Sequence, residues 1–578
     1  MPIYLYTIDL HLAAPVLSQL SGARSHGLDT AALRAEDKRP ALPGSLVRGN
    51  LRQSWEYFAA RFADTGCPDL HNINAWLGAP SAEGGKNEPQ RARLVFDYAW
   101  IAQTPGEKDT VRHRIQIDQH TGTVARGALQ VIEQPFAPSQ DTVCFRGQAR
   151  ARLADENEAK QVATWLRKGL EFVPALGALK GTGFGRVDKV EVRWDAIPSK
   201  NGVPATLPGP RFGLSLTLDR PFCFAKHHLP DDNRFESEEF IPGAALRGAL
   251  ARRLDAAPNL ARHFDKLHIR HALPAQDNQR PAAISCSLVS APAQKNSTEK
   301  QLYDLVFEKA PGLIHGCAPA FQPDWKEEEW GKVRKECGWP EISRRIEVHT
   351  AIDSTTGAAD EGQLFALDCV IPGELKWLTE VTLEAVPEQD LSAVLKELRD
   401  LLAEGLADLG KTGAYAEITT IPTGQVSEHL AGLGASIALV LQTPARLLPD
   451  PYSILSTNDG GELKKCYAEI WRKLSDNALE LSHFYARQRL AGGEYLRQRF
   501  WVGKPYNPEI LTEAGSVFVF AAKDADKAKS TLQEWLRLGL PQADGRENWA
   551  DNPFIRANGY GEVKIHSAKN KLEGWREI

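Results

Sequence analysis

Apolar and polar residues alternate at three places in the chain. Tyr4, Tyr6, Ile8, Leu10 and Leu12 do so ahead of Pro15, Phe212, Leu214, Leu216 and Leu218 ahead of Pro221, and Ile437, Leu439 and Leu441 ahead of Pro444. A period of two predicts a half-buried strand, and a proline, which has no N–H for a ladder, closes each one. Three such openings predict three related units. Helical spacing follows in the first unit, with Leu46, Leu51, Trp55 and Phe58, and again over Glu156–Phe172 with Val162, Trp165, Leu166 and Leu170. The second unit has a matching helix over Ser392–Leu409. Strands are predicted over Arg93–Ile101, Val143–Arg152 and Val187–Trp194.

The first helix opens with a motif that recurs. Leu42-Pro-Gly-Ser-Leu-Val-Arg-Gly-Asn-Leu-Arg-Gln-Ser-Trp55 is echoed by Ile241-Pro-Gly-Ala-Ala-Leu-Arg-Gly-Ala-Leu250. Proline has a pre-set φ for a first helical turn, Gly44 lets another chain approach, and Ser45 can accept from an orphan amide. Arg48 and Arg52, four apart, share one flank. Free amides, a positive dipole end and two arginines make a phosphate seat; the plainer reading is a capped amphipathic helix with solvated arginines.

Two further features repeat. Arg112 to Leu129 reads as an exposed hairpin arm carrying Arg112, Arg114 and Arg126, and Arg344 to Ala359 parallels it through an Ile-Asp…Thr-Gly core: Ile117-Asp118 and Thr121-Gly122 against Ile352-Asp353 and Thr356-Gly357. Gly177-Ala-Leu-Lys-Gly-Thr-Gly-Phe-Gly-Arg-Val187 has glycines at 181, 183 and 185 that permit a tight backbone loop against a phosphate or base, flanked by Lys180 and Arg186. No Gly-Lys-Ser/Thr ends it, and it lies after a helix and before a strand, the reverse of a nucleotide-binding turn. Gly410-Lys-Thr-Gly-Ala-Tyr-Ala416 is a worn second copy. The third unit, from about Gly432, has no Pro-Gly…Arg-Gly helix start and is expected to be half of a paired domain, not an independent copy.

With 578 residues the chain is expected to hold about three domains. Hydrophobic content of 42% and charged content of 25% are ordinary for a globular protein, with no apolar run of membrane-spanning length. The start, Met-Pro-Ile-Tyr-Leu-Tyr-Thr-Ile, lacks the pattern of a signal peptide, so a cytoplasmic location and no membrane partner are expected. Eight cysteines without a CxxC point to reduced thiols. His315, Cys317, Cys337 and Cys286 are candidate zinc ligands, but their spacing is irregular and buried thiols are the favoured reading. A net charge of −5 excludes a globally basic nucleic-acid binder but not a local basic track.

Taken together, these residues resemble the RAMP superfamily, proteins that build CRISPR effector complexes from ferredoxin-like, RNA-recognition-type folds. Residues 1–197 are similar to the type III backbone subunit of Csm- and Cmr-like complexes. Gly27-Leu-Asp29, the Pro-Gly helix start, the Ile-Asp…Thr-Gly arm, Glu133 and the Lys-Gly-Thr-Gly-Phe-Gly-Arg-Val loop occur in the family's order. Beyond a linker at 198–210, residues 211–430 and 431–578 resemble a type III-D cap subunit. The matching features are Phe240-Ile-Pro-Gly, His349-Thr-Ala-Ile-Asp353, Glu361-Gly-Gln-Leu-Phe365, Gly515-Ser-Val-Phe518 and a terminal Gly-Tyr-Gly. The resemblance implies an α+β protein of tandem ferredoxin-like domains, a natural fusion of one backbone and one cap subunit. Ala244 stands where the helix start usually has serine, and the worn glycine turn leaves the cap half's RNA contacts open.

The resemblance further implies guide RNA, complementary target RNA and other effector subunits, including a large signalling subunit, as partners. In the backbone family an aspartate in the loop before the Pro-Gly helix is needed to cut target RNA, and Asp29 holds that place. A carboxylate there can hold a divalent cation, Mg or Mn, or orient a 2′-hydroxyl, and His26 can assist as acid or base. Guide contacts fall to Gly44, Ser45, Arg48, Arg52, Lys180, Gly181, Thr182, Gly183, Gly185 and Arg186, then Arg24, Arg112 and Arg114; in the cap half, to Arg247, Arg253, Lys411 and Arg556. Two alternatives remain: a non-catalytic RNA scaffold, and a guide-RNA-processing endoribonuclease.

Overall fold

The structure is a computed structural model that describes residues 2–19, 28–35, 37–62, 66–79, 90–106, 110–136, 139–197, 202–226, 233–307, 312–352, 359–422, 436–448, 460–492, 509–566 and 576–577. It is a mixed α/β protein of antiparallel sheets. The chain divides into two compact units, residues 1–200 with 346–367, and residues 201–345 with 368–578. The outer part of the second arm thus belongs to the first unit and not to the second domain, to which the sequence assigns it.

In the first unit, β1 (Ile3–Ala13), β2 (Ala41–Pro43), α1 (Gly44–Arg61), α2 (Leu70–Leu77), β3 (Leu94–Phe96) and β4 (Ala99–Ala102) precede the arm strands β5 (Val111–Arg114) and β6 (Gln130–Glu133). Then come β7 (Thr142–Arg152), α3 (Glu156–Glu171) and β8 (Val187–Ile197). The sheet runs β2-β4-β7-β1-β8, with β3 also on β7. β1 lies antiparallel between β7, where Ile3 faces Arg152, and β8, where Ile3 faces Ile197. The alternation read from the sequence is the pleat: Tyr6, Ile8, Leu10 and Leu12 are fully buried. They pack with Val47, Leu51 and Trp55 of α1 and with Val162, Leu166 and Leu170 of α3. Each such aliphatic side chain contributes about 1.5–3 kcal/mol on burial.

The second unit contains β9 (Arg211–Leu218), α4 (Gly243–Ala251), β10 (His268–Ile269), the ends of the arm strands β11 (Arg344–Ile352) and β12 (Ala359–Val370), then β13 (Lys376–Thr382), α5 (Glu388–Ala403), β14 (Leu406–Leu409) and β15 (Ala414–Ile421). The first unit's run β4-β7-β1-β8 recurs as β10-β13-β9-β15, the opening strand again next to last, with β14 added outside β15. After it come β16 (Ser436–Leu441), α6 (Gly460–Leu474), β17 (Leu479–Tyr485), β18 (Val517–Ala522), α7 (Ala525–Leu538) and β19 (Val563–His566), in the sheet β17-β18-β16-β19. This third sheet has the same order and its own core of Ile437, Leu439, Trp471, Phe518, Phe520 and Trp535. It is a complete third copy of the strand order, although no helix-start motif announces it, and it shares one compact unit with the second.

Candidate nucleic-acid interface

Helix α1 starts at Gly44 with Pro43 as its N-cap, and no side chain caps it. The Gly44 N–H donates to Tyr98 O at 2.7 Å, and a Cβ on Gly44 would lie 1.9 Å from Asp97 O. The glycine therefore admits the neighbouring strand of its own chain. The expected free first amide and the expected Ser45 cap are both corrected: Ser45 is exposed in the first turn and caps nothing. Arg48 is exposed. Arg52 is half-buried and donates to Glu56 at 3.1 Å, to Asn74 Oδ1 at 3.0 Å and to Gly78 O. It ties α1 to α2, so the two arginines do not form a shared free flank.

Three other segments do converge. Leu17, Ala32 of the Asp29 loop, Ile132 of β6 and Phe184 of the glycine-rich loop form one buried cluster, joined by Ala178 and Leu179. On it, the glycine-rich loop makes a 3-10 turn, Lys180–Thr182, with Thr182 Oγ1 donating to Leu179 O at 2.9 Å. Gly185 takes φ +66°, and a Cβ there would stand 2.0 Å from Leu176 O, so this position requires glycine. Gly183 also has positive φ but faces open space, and Gly181 faces open space without that strain. Lys180, Gly181, Thr182, Gly183 and Arg186 are exposed, whereas Gly185 is buried. Among the described residues no hydrogen bond or ion pair engages the Lys180 or Arg186 side chain.

The arm joins at the same place. β5 and β6 pair from Val111 with Glu133 to Arg114 with Gln130, and the Arg112 guanidinium lies 5.5 Å from the Phe184 ring centroid. Arg114 is half-buried beside Gln130, and Arg126 is exposed. The Ile-Asp…Thr-Gly core is turn chemistry. The Asp118 carboxylate accepts from the N–H groups of Thr121 at 2.8 Å and His120 at 2.9 Å, and these bonds hold it below the usual carboxylate range. The second copy's Asp353, Thr356 and Gly357 lie outside the described residues, as do Arg24 and His26.

Asp29 is exposed at the edge of this cluster and is held by β6. Its N–H donates to Val131 O at 2.8 Å and its Oδ2 accepts from the Val131 N–H at 2.6 Å. Thr30 continues the contact in a parallel bridge to Ile132. Among the described residues no group of three or more His, Cys, Asp or Glu is placed to hold a metal. Asp29 fits a divalent cation only as one carboxylate among phosphate and water oxygens, the usual mode for Mg2+. The zinc candidates are not gathered as ligands: Cys317 and His315 are exposed, Cys286 is buried, and burial pushes the Cys337 thiol up to about 12.

The cations expected to bind RNA in the second half are committed within the fold. Arg247 is buried, donates to Asn558 Oδ1 at 2.6 Å and Phe264 O at 3.1 Å, and is lowered by burial to about 10. Arg253 closes the end of α5 through Leu401 O at 2.9 Å, Gly405 O at 3.1 Å and Glu404. Lys411 lies 3.8 Å from the Phe235 ring centroid, and burial lowers its ammonium. Arg556 pairs with Glu534 at 3.2 Å.

Sequence reading missed Phe184 as the joint of the cluster, although an aromatic among three glycines is a signal that the loop is anchored. It also missed Arg34, which pairs with Glu133. No described helix is long and apolar enough to cross a membrane.

No curated protein matches the sequence. Among the chains of solved structures that are similar are two from Type III-B Cmr-β assemblies bound to cognate target RNA, one of them also with AMPPnP. The chain of the AMPPnP-bound assembly is 11% identical at TM-score 0.29, over 54% of this chain and 86% of that one. The other is 10% identical at TM-score 0.30, over 57% and 97%. Residues 20–188, the stretch that holds the Asp29 loop, helix α1, the arm and the glycine-rich loop, match the family model of the RAMP superfamily.

Proposed function

We propose that this chain is an RNA-binding subunit of a type III CRISPR effector assembly, with tandem ferredoxin-like RAMP domains combining a backbone-type and a cap-type subunit. The observation that carries the reading is the convergence of the Asp29 loop, the arm and the glycine-rich loop on Leu17, Ala32, Ile132 and Phe184, within the stretch that matches the family model. Lys180, Arg186 and Arg112 meet the guide's sugar-phosphate spine, while base pairing reads the sequence. Target RNA, backbone subunits and a large signalling subunit are the further partners.

Cleavage of target RNA at Asp29 belongs to the same proposal. The carboxylate orients and deprotonates a 2′-hydroxyl; the 2′-oxygen bonds to the adjacent phosphorus, the bond to the 5′-oxygen breaks, and that oxygen takes up a proton from His26 or water. Asp29 would also be the protein ligand of a divalent cation, Mg or Mn, whose charge would stabilise the phosphoryl oxygen. The test is to co-express the full chain with its genomic neighbours. A short RNA of uniform 5′ end is expected to co-purify, and D29A is expected to abolish cutting of complementary RNA at one site without loss of the bound RNA. An assembly free of nucleic acid overturns the binding reading; unchanged cutting by D29A favours a scaffold.

A further inference from the structure

Glu133 divides its carboxylate between two tasks. Oε2 accepts the Ala32 N–H at 2.7 Å and Oε1 accepts from the Arg34 guanidinium. Its own N–H donates to Thr30 O at 3.0 Å, and Arg34 donates onward to Lys38 O at 3.1 Å. Two residues earlier on the same strand, Val131 exchanges hydrogen bonds with Asp29, taking the Asp29 carboxylate where a ladder would use a main-chain acceptor. Residues 29 to 34 are therefore laced to β6 at four successive points. The Glu133 side chain is 13% exposed and that of Arg34 28%. With Arg34 partly in water the pair gains little net stability, but its charge-assisted bonds fix the geometry of the loop.

We propose that Glu133 is the positioning residue for Asp29: it registers the Asp29 loop on the base of the arm, so that the carboxylate's place is set by the strand that also carries the arm. This rests on the reading of Asp29 as the cleaving carboxylate. Glu133 touches no substrate and acts through the loop. Removing its side chain frees the Ala32 amide and leaves Arg34 without its carboxylate, so residues 32 and 34 lose their ties to β6 while Leu33 stays bonded to Ser18 and Ile132 stays packed.

The test uses the full chain co-expressed with its partner subunits and guide RNA, carrying E133A, E133Q or D29N. One probe is RNA complementary to the guide; the other is the same strand with a 2′-deoxy sugar at the cut site. E133A is expected to slow single-turnover cutting by roughly 10- to 100-fold, the scale of a misplacement near 1 Å. Affinity for the uncuttable strand should stay unchanged. E133Q, which keeps an acceptor for Ala32, should recover most of the rate. Hydrogen exchange at the Asp29 and Ala32 amides should quicken in E133A and not in E133Q. Wild-type cutting by E133A beside an inactive D29N overturns the positioning role and leaves Asp29 standing. Wild-type cutting by D29N overturns the cleavage reading and the positioning role with it. Unchanged amide exchange in E133A overturns the registering contact whatever the cutting rate.

Discussion

Some of the cations in the first unit face solvent and others hold the fold. Lys180 and Arg186 are exposed with no hydrogen-bond or ion-pair partner among the described residues, whereas Arg52 is spent on Glu56, Asn74 and Gly78. If the first two neutralise one phosphate each, replacing both by alanine flattens the plot of log affinity against log salt for single-stranded RNA by about 1.4, at about 0.7 per phosphate. Between 50 and 200 mM salt, the wild type should then lose about sevenfold more affinity than the double variant. R52A, by contrast, should leave the slope alone and lower the melting temperature, because it unlinks α1 from α2. The assay is fluorescence anisotropy of a labelled single-stranded RNA over a salt series, with thermal unfolding of the same preparations. An unchanged slope for K180A/R186A, or an equal flattening by R52A, would refute the assignment.

Two further predictions concern the frame around the site. G185A should lower stability by more than about 1 kcal/mol, since its Cβ would stand 2.0 Å from Leu176 O at φ +66°, while G181A, facing open space, should stay within about 0.5 kcal/mol of wild type; urea unfolding of the pair checks this. Glu562 is buried, and burial alone would raise it, but the Arg270 and Arg280 charges and the Arg280 hydrogen bond outweigh that and hold it well below the usual carboxylate range. A depressed folded pKa gives stability that is present above the unfolded value, near 4.3, and is lost as pH falls toward the folded one. Unfolding free energy should therefore decline more steeply below pH 4.3 in wild type than in E562Q, which should itself cost about 3–5 kcal/mol near neutrality; a parallel acid limb in the two proteins would contradict this.

The opening strands and the helices α1 and α3 were legible in the sequence because their signal is local. Tyr6, Ile8, Leu10 and Leu12 announce the inner face of β1 by period alone, and Leu51 and Trp55 do the same for α1. The third sheet was undervalued for the converse reason: its strand order needs no Pro-Gly motif, only Ile437, Leu439 and Leu441 against Phe518 and Phe520. The fate of each arginine was not legible. Arg52 finds a carbonyl 26 positions away and Arg247 an amide oxygen 311 positions away, and no local spacing encodes either. The site fared between the two. The glycine-rich loop and the arm could be named as segments, but their meeting at Phe184 and Ile132 is a tertiary fact.

The repeated helix start shows how one motif takes two roles. In both copies the first glycine admits a segment of its own chain: the carbonyl of Asp97 against Gly44, and the carbonyls of Ile269 and Asn558 against Gly243. The difference lies one turn on. Arg48 is exposed, but its counterpart Arg247 is buried because Asn558, in the turn that leads into β19, reaches it. The Gly243 amide is likewise spent, on His271 Nδ1 at 3.1 Å, and burial drives that imidazole down to about 3, so it stays a neutral acceptor at ordinary pH. Contact with the turn that leads into β19 thus faces this copy of the motif inward. A guanidinium that would face solvent in one repeat becomes, in the other, the fastening between two sheets of the same unit. Arg247 is therefore committed to the fold and not to a phosphate.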